Sequence, residues 1–160
     1  MTIKIKQALK EIFTDACEEG GLLHGYCDVI LRSIVQKLPN DVSNFITLGN
    51  YQVTDVQTGD LIDKYRLYEI EIGCGACIIP SEENAEANAE ERSDRMAKII
   101  RTILKSNRKL ISESYPDGAA ISSSALGDYL EFVIYENNIC SMNKIRLTAK
   151  IIEDNAEYFS

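Results

Sequence analysis

Two cysteines three positions apart, Cys74 and Cys77, have the clearest potential for chemistry in this sequence. A Cys-x-x-Cys pair can act as a redox couple or supply half of a zinc site. A redox pair needs its first cysteine at the start of a helix, whereas this pair ends a predicted strand. Residues three apart in a regular strand point to opposite faces and cannot share a metal, unless the neighbouring glycines bulge the strand. Buried structural cysteines are the favoured interpretation, with metal binding and redox chemistry as alternatives.

His24 is the second candidate, because with Cys27, Cys74 and Cys77 it could complete a zinc site of three cysteines and one histidine. It is the only histidine of the chain, and a surface position is the simpler interpretation. A single histidine also leaves no Ser-His-Asp or Cys-His arrangement to argue for nucleophilic catalysis.

Two carboxylates, Glu69 and Glu71, lie on one face of a predicted strand. Paired carboxylates can bind a metal or hydrolyse glycosides, but two exposed residues on the solvated face are the simpler interpretation. The chain also lacks a glycine-rich phosphate loop. We therefore expect a protein that is not an enzyme, with no catalytic, cofactor-binding or metal-binding residues.

The charge balance argues against nucleic acid as a specific ligand. The net charge is −8 and the pI is about 4.7, so phosphate backbones are repelled unless basic residues cluster. The basic residues that do cluster, at 98–109, end a predicted helix, where cations favour the helix dipole. The sequence has no apolar run of membrane-spanning length and no signal-peptide pattern at its start. The chain has five cysteines, an odd number, and they are widely spaced along the sequence. Because this is not the pattern of a disulfide framework, it predicts reduced thiols in a cytoplasm-like compartment.

These residues are positioned by elements whose periodicity predicts one α+β domain. Residues 1–40 read as a helical hairpin, with helices at 3–17 and 23–37 separated by Gly20 and Gly21. Residues 44–152 read as a small mixed or antiparallel sheet with a helix at about 88–107 packed across one face. Residues 153–160 read as a polar tail. Whether 81–92 is helical or a mobile loop stays open.

The sheet is expected to contain several alternating strands and two internal turns. The predicted strands are 44–48, 51–56, 65–72, 129–135 and 144–152, with a possible short strand at 110–113 and an ambiguous segment at 119–126. Gly49-Asn50 and 58–60 carry turn signals, so 51–72 is the best hairpin candidate.

The last strand divides its residues between two faces. The apolar side chains are expected to face the helix stripe at 96–104; they are Ile145, Leu147, Ala149 and Ile151. Lys144, Arg146 and Lys150 form a basic ladder on the other face. This ladder is either a solvated, edge-protecting face or a subunit contact. In the second case its partners in a neighbouring copy would be acidic residues such as Asp60, Asp63 and Glu69.

The order of these elements resembles the tail terminator, or tail completion, proteins of long-tailed bacteriophages. The matching pieces are the first helix, the hairpin at 51–72, the helix at 90–107 with Met96-Ala-Lys-Ile-Ile-Arg-Thr-Ile-Leu, and the closing strand Lys144-Ile-Arg-Leu-Thr-Ala-Lys-Ile. They cover about two thirds of the chain. The helix at 23–37 and the long region at 108–128 depart from the simplest family pattern.

The resemblance implies a structural protein of the virion that assembles in the host cytoplasm. It implies a homo-oligomeric ring, commonly a hexamer, that caps the tail tube and contacts a head-side connector protein. DNA would pass through the ring without specific binding, and no membrane is involved. Two alternatives remain: an acidic adaptor or assembly chaperone that binds another protein, and a small zinc- or thiol-dependent protein using His24, Cys27, Cys74 and Cys77.

Overall fold

The computed structural model describes residues 2–32, 35–57 and 64–153, and these form an α+β fold. Its elements in chain order are α1 (Thr2–Cys17), β1 (Val29–Leu31), β2 (Asn44–Gln57), β3 (Lys64–Cys77), α2 (Ala85–Ser106), β4 (Ser122–Ile134) and β5 (Ile139–Glu153). In the described residues the strands make one sheet in the order β1-β2-β3-β5-β4. β1 runs parallel to β2, and every other neighbouring pair is antiparallel, so the predicted mixed sheet is confirmed.

The hairpin predicted at 51–72 is confirmed as the pairing of β2 with β3, in which Gln52 lies opposite Glu69. The turn predicted at Gly49-Asn50 is wrong. β2 is continuous there, and its register against β3 shifts between Leu48 and Tyr51. A bulge absorbs extra residues without ending a strand, so the two predicted strands are one. The turn predicted at 58–60 lies outside the described residues.

The N-terminal helical hairpin is not formed as predicted. Helix α1 occupies the first half, but residues 29–31 of the proposed second helix form β1, which pairs with Phe45–Thr47 of β2. Gly25, with a φ of 81°, lies in a turn before β1, and such a backbone conformation interrupts a helix. The carboxylate of Asp28 then accepts hydrogen bonds from the backbone N–H groups of Ser43 and Asn44, both at 2.9 Å, which holds β1 beside β2.

Both helices pack on one face of the sheet and build the larger core. Helix α2 contributes a buried stripe that includes Met96, Ile100 and Leu104, over β3 and β5. The predicted inward residues of β5 join that core: Ile145, Leu147, Ala149 and Ile151 are all buried. Burial of each large aliphatic side chain stabilises the fold by about 1.5–3 kcal/mol, so this helix–strand contact is a main source of stability.

Several segments differ from the prediction; for example, β3 continues to Cys77 and β5 begins at Ile139. α2 begins at Ala85, so most of the undecided segment 81–92 is helical. β4 begins at Ser122 and includes most of the ambiguous segment before 129. The short strand proposed at 110–113 is wrong, because Leu110 has a φ of 54° and Ser112 and Tyr115 exchange backbone hydrogen bonds in a turn. The predicted tail is outside the described residues apart from Glu153, which ends β5.

Candidate functional site

The zinc-site candidates are held apart by the sheet. Cys74 is buried in the core under the helices, whereas Cys77 lies in a second cluster on the opposite face, as residues three apart in a strand must. His24 is exposed, and its Nδ1 contacts the carbonyl oxygen of Cys17 at 3.0 Å. Among the residues that the structure describes, no three His, Cys, Asp or Glu side chains are grouped closely enough to hold a metal ion.

The second cluster covers one end of the sheet face opposite the helices. Its buried members are Leu38, Phe45, Cys77, Cys140 and Met142. The Phe45 ring meets Tyr135 edge-on, with centroids 5.7 Å apart, and lies against Gly75, where a Cβ would overlap it. Asn137 exchanges hydrogen bonds with the backbone of Leu38, each at 3.1 Å. The glycine in the Cys-Gly-Ala-Cys segment therefore makes room for an aromatic ring.

The other end of that face carries the predicted basic ladder, and the structure changes its interpretation. Lys144 forms ion pairs inside the chain, with Glu71 at 3.1 Å and with Glu131. Burial acts to lower the pKa of Lys144, but hydrogen bonds and charge from Glu131 and Glu71 outweigh it and hold that pKa above its ordinary value. The charge of Lys144 is thus paired within its own chain, whereas Arg146 is exposed to solvent.

The remaining predicted interface residues are not part of the ion pairs that Lys144 forms with Glu71 and Glu131. Lys150 and Glu69 are half-buried, and Glu69 lies across from Thr148 rather than from a basic residue. Asp60 and Asp63 lie outside the described residues. Sequence reasoning missed Glu131 as a partner, because the register that places Glu131 near Lys144 is set by a bulge between Leu126 and Asp128 of β4.

The most prominent surface feature is β4 itself, which forms one edge of the sheet. It pairs only with β5 among the described strands, and large apolar side chains on and beside it are 44–80% exposed. We call this set the apolar edge: Leu126, Tyr129, Leu130, Phe132, Ile134 and Ile139. An edge strand with exposed backbone and apolar side chains is a template for pairing with another chain.

Both faces of the sheet contribute to the apolar edge. Leu130 and Phe132 lie opposite Asn143 and Ser141, which hydrogen-bond with Ser93 of α2, so they are on the helix side of the sheet. Helix α2 covers Asn143 and Ser141 of β5 but does not extend over Leu130 and Phe132 of β4, which stay exposed. Tyr129 lies on the other face, where its hydroxyl donates a hydrogen bond to the Glu71 carboxylate at 3.4 Å. A sequence signal existed: apart from Glu131, the residues at 129–134 are apolar or aromatic, and they fall in both alternating sets, which is more than one buried face requires.

Helix α2 distributes its charge along its length. Acidic residues early in the helix pair with cations one turn later, as in Asp94–Lys98 at 2.9 Å and Glu91–Arg95 at 3.1 Å. Exposed pairs of this kind contribute only about 0.3–0.5 kcal/mol each. The later cations, Arg101, Lys105 and Arg108, line a cavity of about 300 Å³ beside the start of β4, where they also suit the helix dipole.

A scan against protein-family models finds no match, and a search of curated proteins finds no similar sequence. Neither described helix is long and apolar enough to cross a membrane. The apolar edge is the main surface feature of the described residues whose role a monomer does not explain.

Proposed function

We propose that the chain is a structural protein that assembles with copies of itself into a ring in the neck or tail of a bacteriophage. In this proposal the ring, a hexamer, caps the tail tube, contacts the head-side connector, and lets DNA pass. The apolar edge is the observation that carries the proposal, because it offers a second chain both unpaired backbone groups and apolar side chains.

Leaving the apolar edge exposed to water costs free energy. Ile134 is 80% exposed and Phe132 is 50% exposed, and removing apolar surface from water gains about 25 cal/mol for each Å² buried. Monomeric proteins usually blunt an edge strand with lysines, prolines or a covering segment. β4 contains no lysine or proline, and its bulge lies between Leu126 and Asp128, before the exposed residues at 129–134. Its burial against a neighbouring copy therefore accounts for side chains that the monomer leaves in water.

The charges around the edge support contact between copies rather than contact with DNA. Lys144 is neutralised within the chain by Glu71 and Glu131. Of the ladder, Arg146 is the exposed residue proposed to meet acidic residues of a neighbour, and Lys150 lies further along the same face. Asp60, Asp63 and Glu69 stay the proposed acidic partners. With a net charge of −8, a ring of such chains would repel phosphate, which suits a passage through which DNA slides.

Native mass spectrometry of the purified protein over a range of concentrations tests this proposal. We expect one closed assembly, with six copies as its stoichiometry, to replace the monomer as concentration rises. A monomer at every concentration, including in the presence of tail-tube and connector proteins, would overturn the ring.

An adaptor or assembly chaperone is the second candidate, favoured by the same edge. An exposed edge strand can accept an extended segment of a different protein by strand addition. The mass measurement separates the two functions, because an adaptor stays monomeric alone and forms a complex of defined stoichiometry with one client.

A further inference from the structure

Two buried thiols face each other across strands β3 and β5. Cys77 and Cys140 are register partners, and the Cys140 thiol donates a hydrogen bond to the Cys77 sulfur at 3.4 Å. Both belong to the second cluster and are 4% and 0% exposed. The spatial partner of Cys77 is therefore a cysteine 63 positions away, whereas Cys74 lies on the other face of the sheet.

The backbone around this pair matches the requirements of a disulfide. The N–H of Ile78 donates to the carbonyl oxygen of Ile139 at 2.9 Å, and the N–H of Cys77 donates instead to Ser43 on its other side. Because bonded and non-bonded pairs alternate along an antiparallel ladder, Cys77 and Cys140 form a non-hydrogen-bonded pair, with Cα atoms about 4.5 Å apart. That spacing is within the range of about 4.4–6.8 Å that a disulfide spans.

We propose that Cys77 and Cys140 form a redox-active dithiol that a small peroxide converts into an intramolecular disulfide. In the first step the Cys77 sulfur attacks hydrogen peroxide, an S–O bond forms, the O–O bond breaks, and hydroxide leaves. Cys77 becomes a sulfenic acid by a two-electron oxidation while the peroxide is reduced. In the second step the Cys140 sulfur attacks the sulfenic sulfur, the S–S bond forms, and the hydroxyl leaves with the thiol proton as water.

The surroundings assign different roles to the two thiols. The hydrogen bond from Cys140 lowers the pKa of Cys77, helped by the nearby positive charge of Arg92. The same contact, together with burial, raises the pKa of Cys140. Because the Cys77 sulfur accepts the hydrogen bond from the Cys140 thiol and the thiolate is the nucleophile, Cys77 is the thiol proposed to react with peroxide and Cys140 is the thiol proposed to resolve it.

A groove lies beside the backbone hydrogen-bond partners of Cys77, and its lining does not include the Cys77 side chain. This groove, of about 420 Å³, is lined by Ser43, Ile79 and Arg92 among others. Ser43 accepts the hydrogen bond from the Cys77 N–H, and Arg92 donates to the Cys77 carbonyl oxygen. Because Cys77 and Cys140 are 4% and 0% exposed, we expect a small oxidant such as hydrogen peroxide to oxidise the pair and a bulky disulfide such as oxidised glutathione to leave no adduct on either thiol.

The test uses full-length protein carrying Cys17→Ser and Cys27→Ser, because those two thiols also contact each other and could pair separately. After native exposure to hydrogen peroxide, we expect the intact mass to fall by two hydrogen atoms and a non-reducing digest to contain a peptide linking Cys77 to Cys140. In the same background, Cys140→Ala should accumulate a sulfenic acid at Cys77 that dimedone labels, and Cys77→Ala should show no labelling.

Two results would overturn the proposal. One is the persistence of both thiols, alkylatable after unfolding, in peroxide-treated protein. The other is a disulfide or sulfenic acid located at Cys74. Mapping of the Cys17→Ser/Cys27→Ser protein decides the matter even where an alanine variant does not fold. The inference does not depend on ring assembly, since the pair lies within one chain.

Discussion

Single residues show how the fold is held at its less regular parts, and Glu11 is the clearest case. Its carboxylate accepts hydrogen bonds from the backbone N–H and hydroxyl of Ser114, at 2.9 and 2.7 Å, and from Gln7 at 2.8 Å. These bonds, led by the Ser114 hydroxyl, lower the pKa of Glu11 from 4.5 to about 2. The ionised carboxylate thus joins α1 to the segment that follows α2.

This contact predicts a specific loss of stability in acid. Because the folded pKa of Glu11 lies below its ordinary value, its contribution is complete above about pH 4.5 and disappears as pH falls towards 2. Glu11→Gln should lower the thermal midpoint at pH 7 and reduce the loss of stability between pH 4.5 and 2. Thermal unfolding followed by circular dichroism measures both, with the exposed Glu113→Gln as control. Equal acid sensitivity in Glu11→Gln and the parent protein would contradict the assignment.

Lys144 gives a second prediction at this scale. Lys144→Met leaves Glu71 and Glu131 close together without their cation, so we expect the free energy of unfolding to fall by about 1–2 kcal/mol. Urea unfolding measures this change. Arg146→Met is the matched control, because Arg146 is exposed on the next position of the ladder and should change stability by less than about 0.5 kcal/mol. Equal effects of the two substitutions would argue against an internal role for Lys144.

At the scale of elements, β3 and β2 depend on a close contact at Gly75. A Cβ there would overlap the Phe45 ring, which is itself held between Tyr135 and the second cluster. Gly75→Ala should therefore lower the free energy of unfolding by about 1–3 kcal/mol. Gly49→Ala provides the control, since its added Cβ meets only the Glu71 carbonyl oxygen at 3.5 Å. Chemical denaturation compares them, and a neutral Gly75→Ala would show that the ring moves freely.

The elements also show what sequence patterns can and cannot predict. Alternation in 144–152 and the stripe at 96–104 predicted the main helix–sheet contact, because burial of one face imposes a period that the residues must follow. The pattern failed at 23–37, where apolar spacing suits a helix but Val29–Leu31 gain backbone partners from β2. It failed again at Gly49-Asn50, because a local turn signal cannot reveal that β3 continues alongside.

The candidate site was less predictable than the fold, for the same reason. The opposite orientation of Cys74 and Cys77 follows from local geometry and was predicted. The pairing of Cys77 with Cys140, of Lys144 with Glu131, and the edge position of β4 depend on strand order and register. Contacts between residues far apart in sequence have no local signature, so a single sequence could not specify them.

At the scale of the whole molecule, the two helices cover one face of the sheet. The second cluster covers one end of the opposite face, and the edge strand β4 is exposed. This asymmetry is what a subunit of an assembly requires: a stable core independent of its neighbours and an edge that gains from contact. Ring assembly through the apolar edge is the proposal that this asymmetry supports.

Size-exclusion chromatography with light scattering on a β4 variant tests that claim most directly. Phe132→Lys/Ile134→Lys places charge in the apolar edge at positions that are 50% and 80% exposed, so the monomer should keep its circular dichroism spectrum. Leu22→Lys, at a 58% exposed apolar residue outside the sheet, is the control. We predict a ring for the parent protein and Leu22→Lys, and a monomer for the double variant, with assembly weakened by about 100-fold or more. A double variant that forms the same ring as the parent would contradict the account.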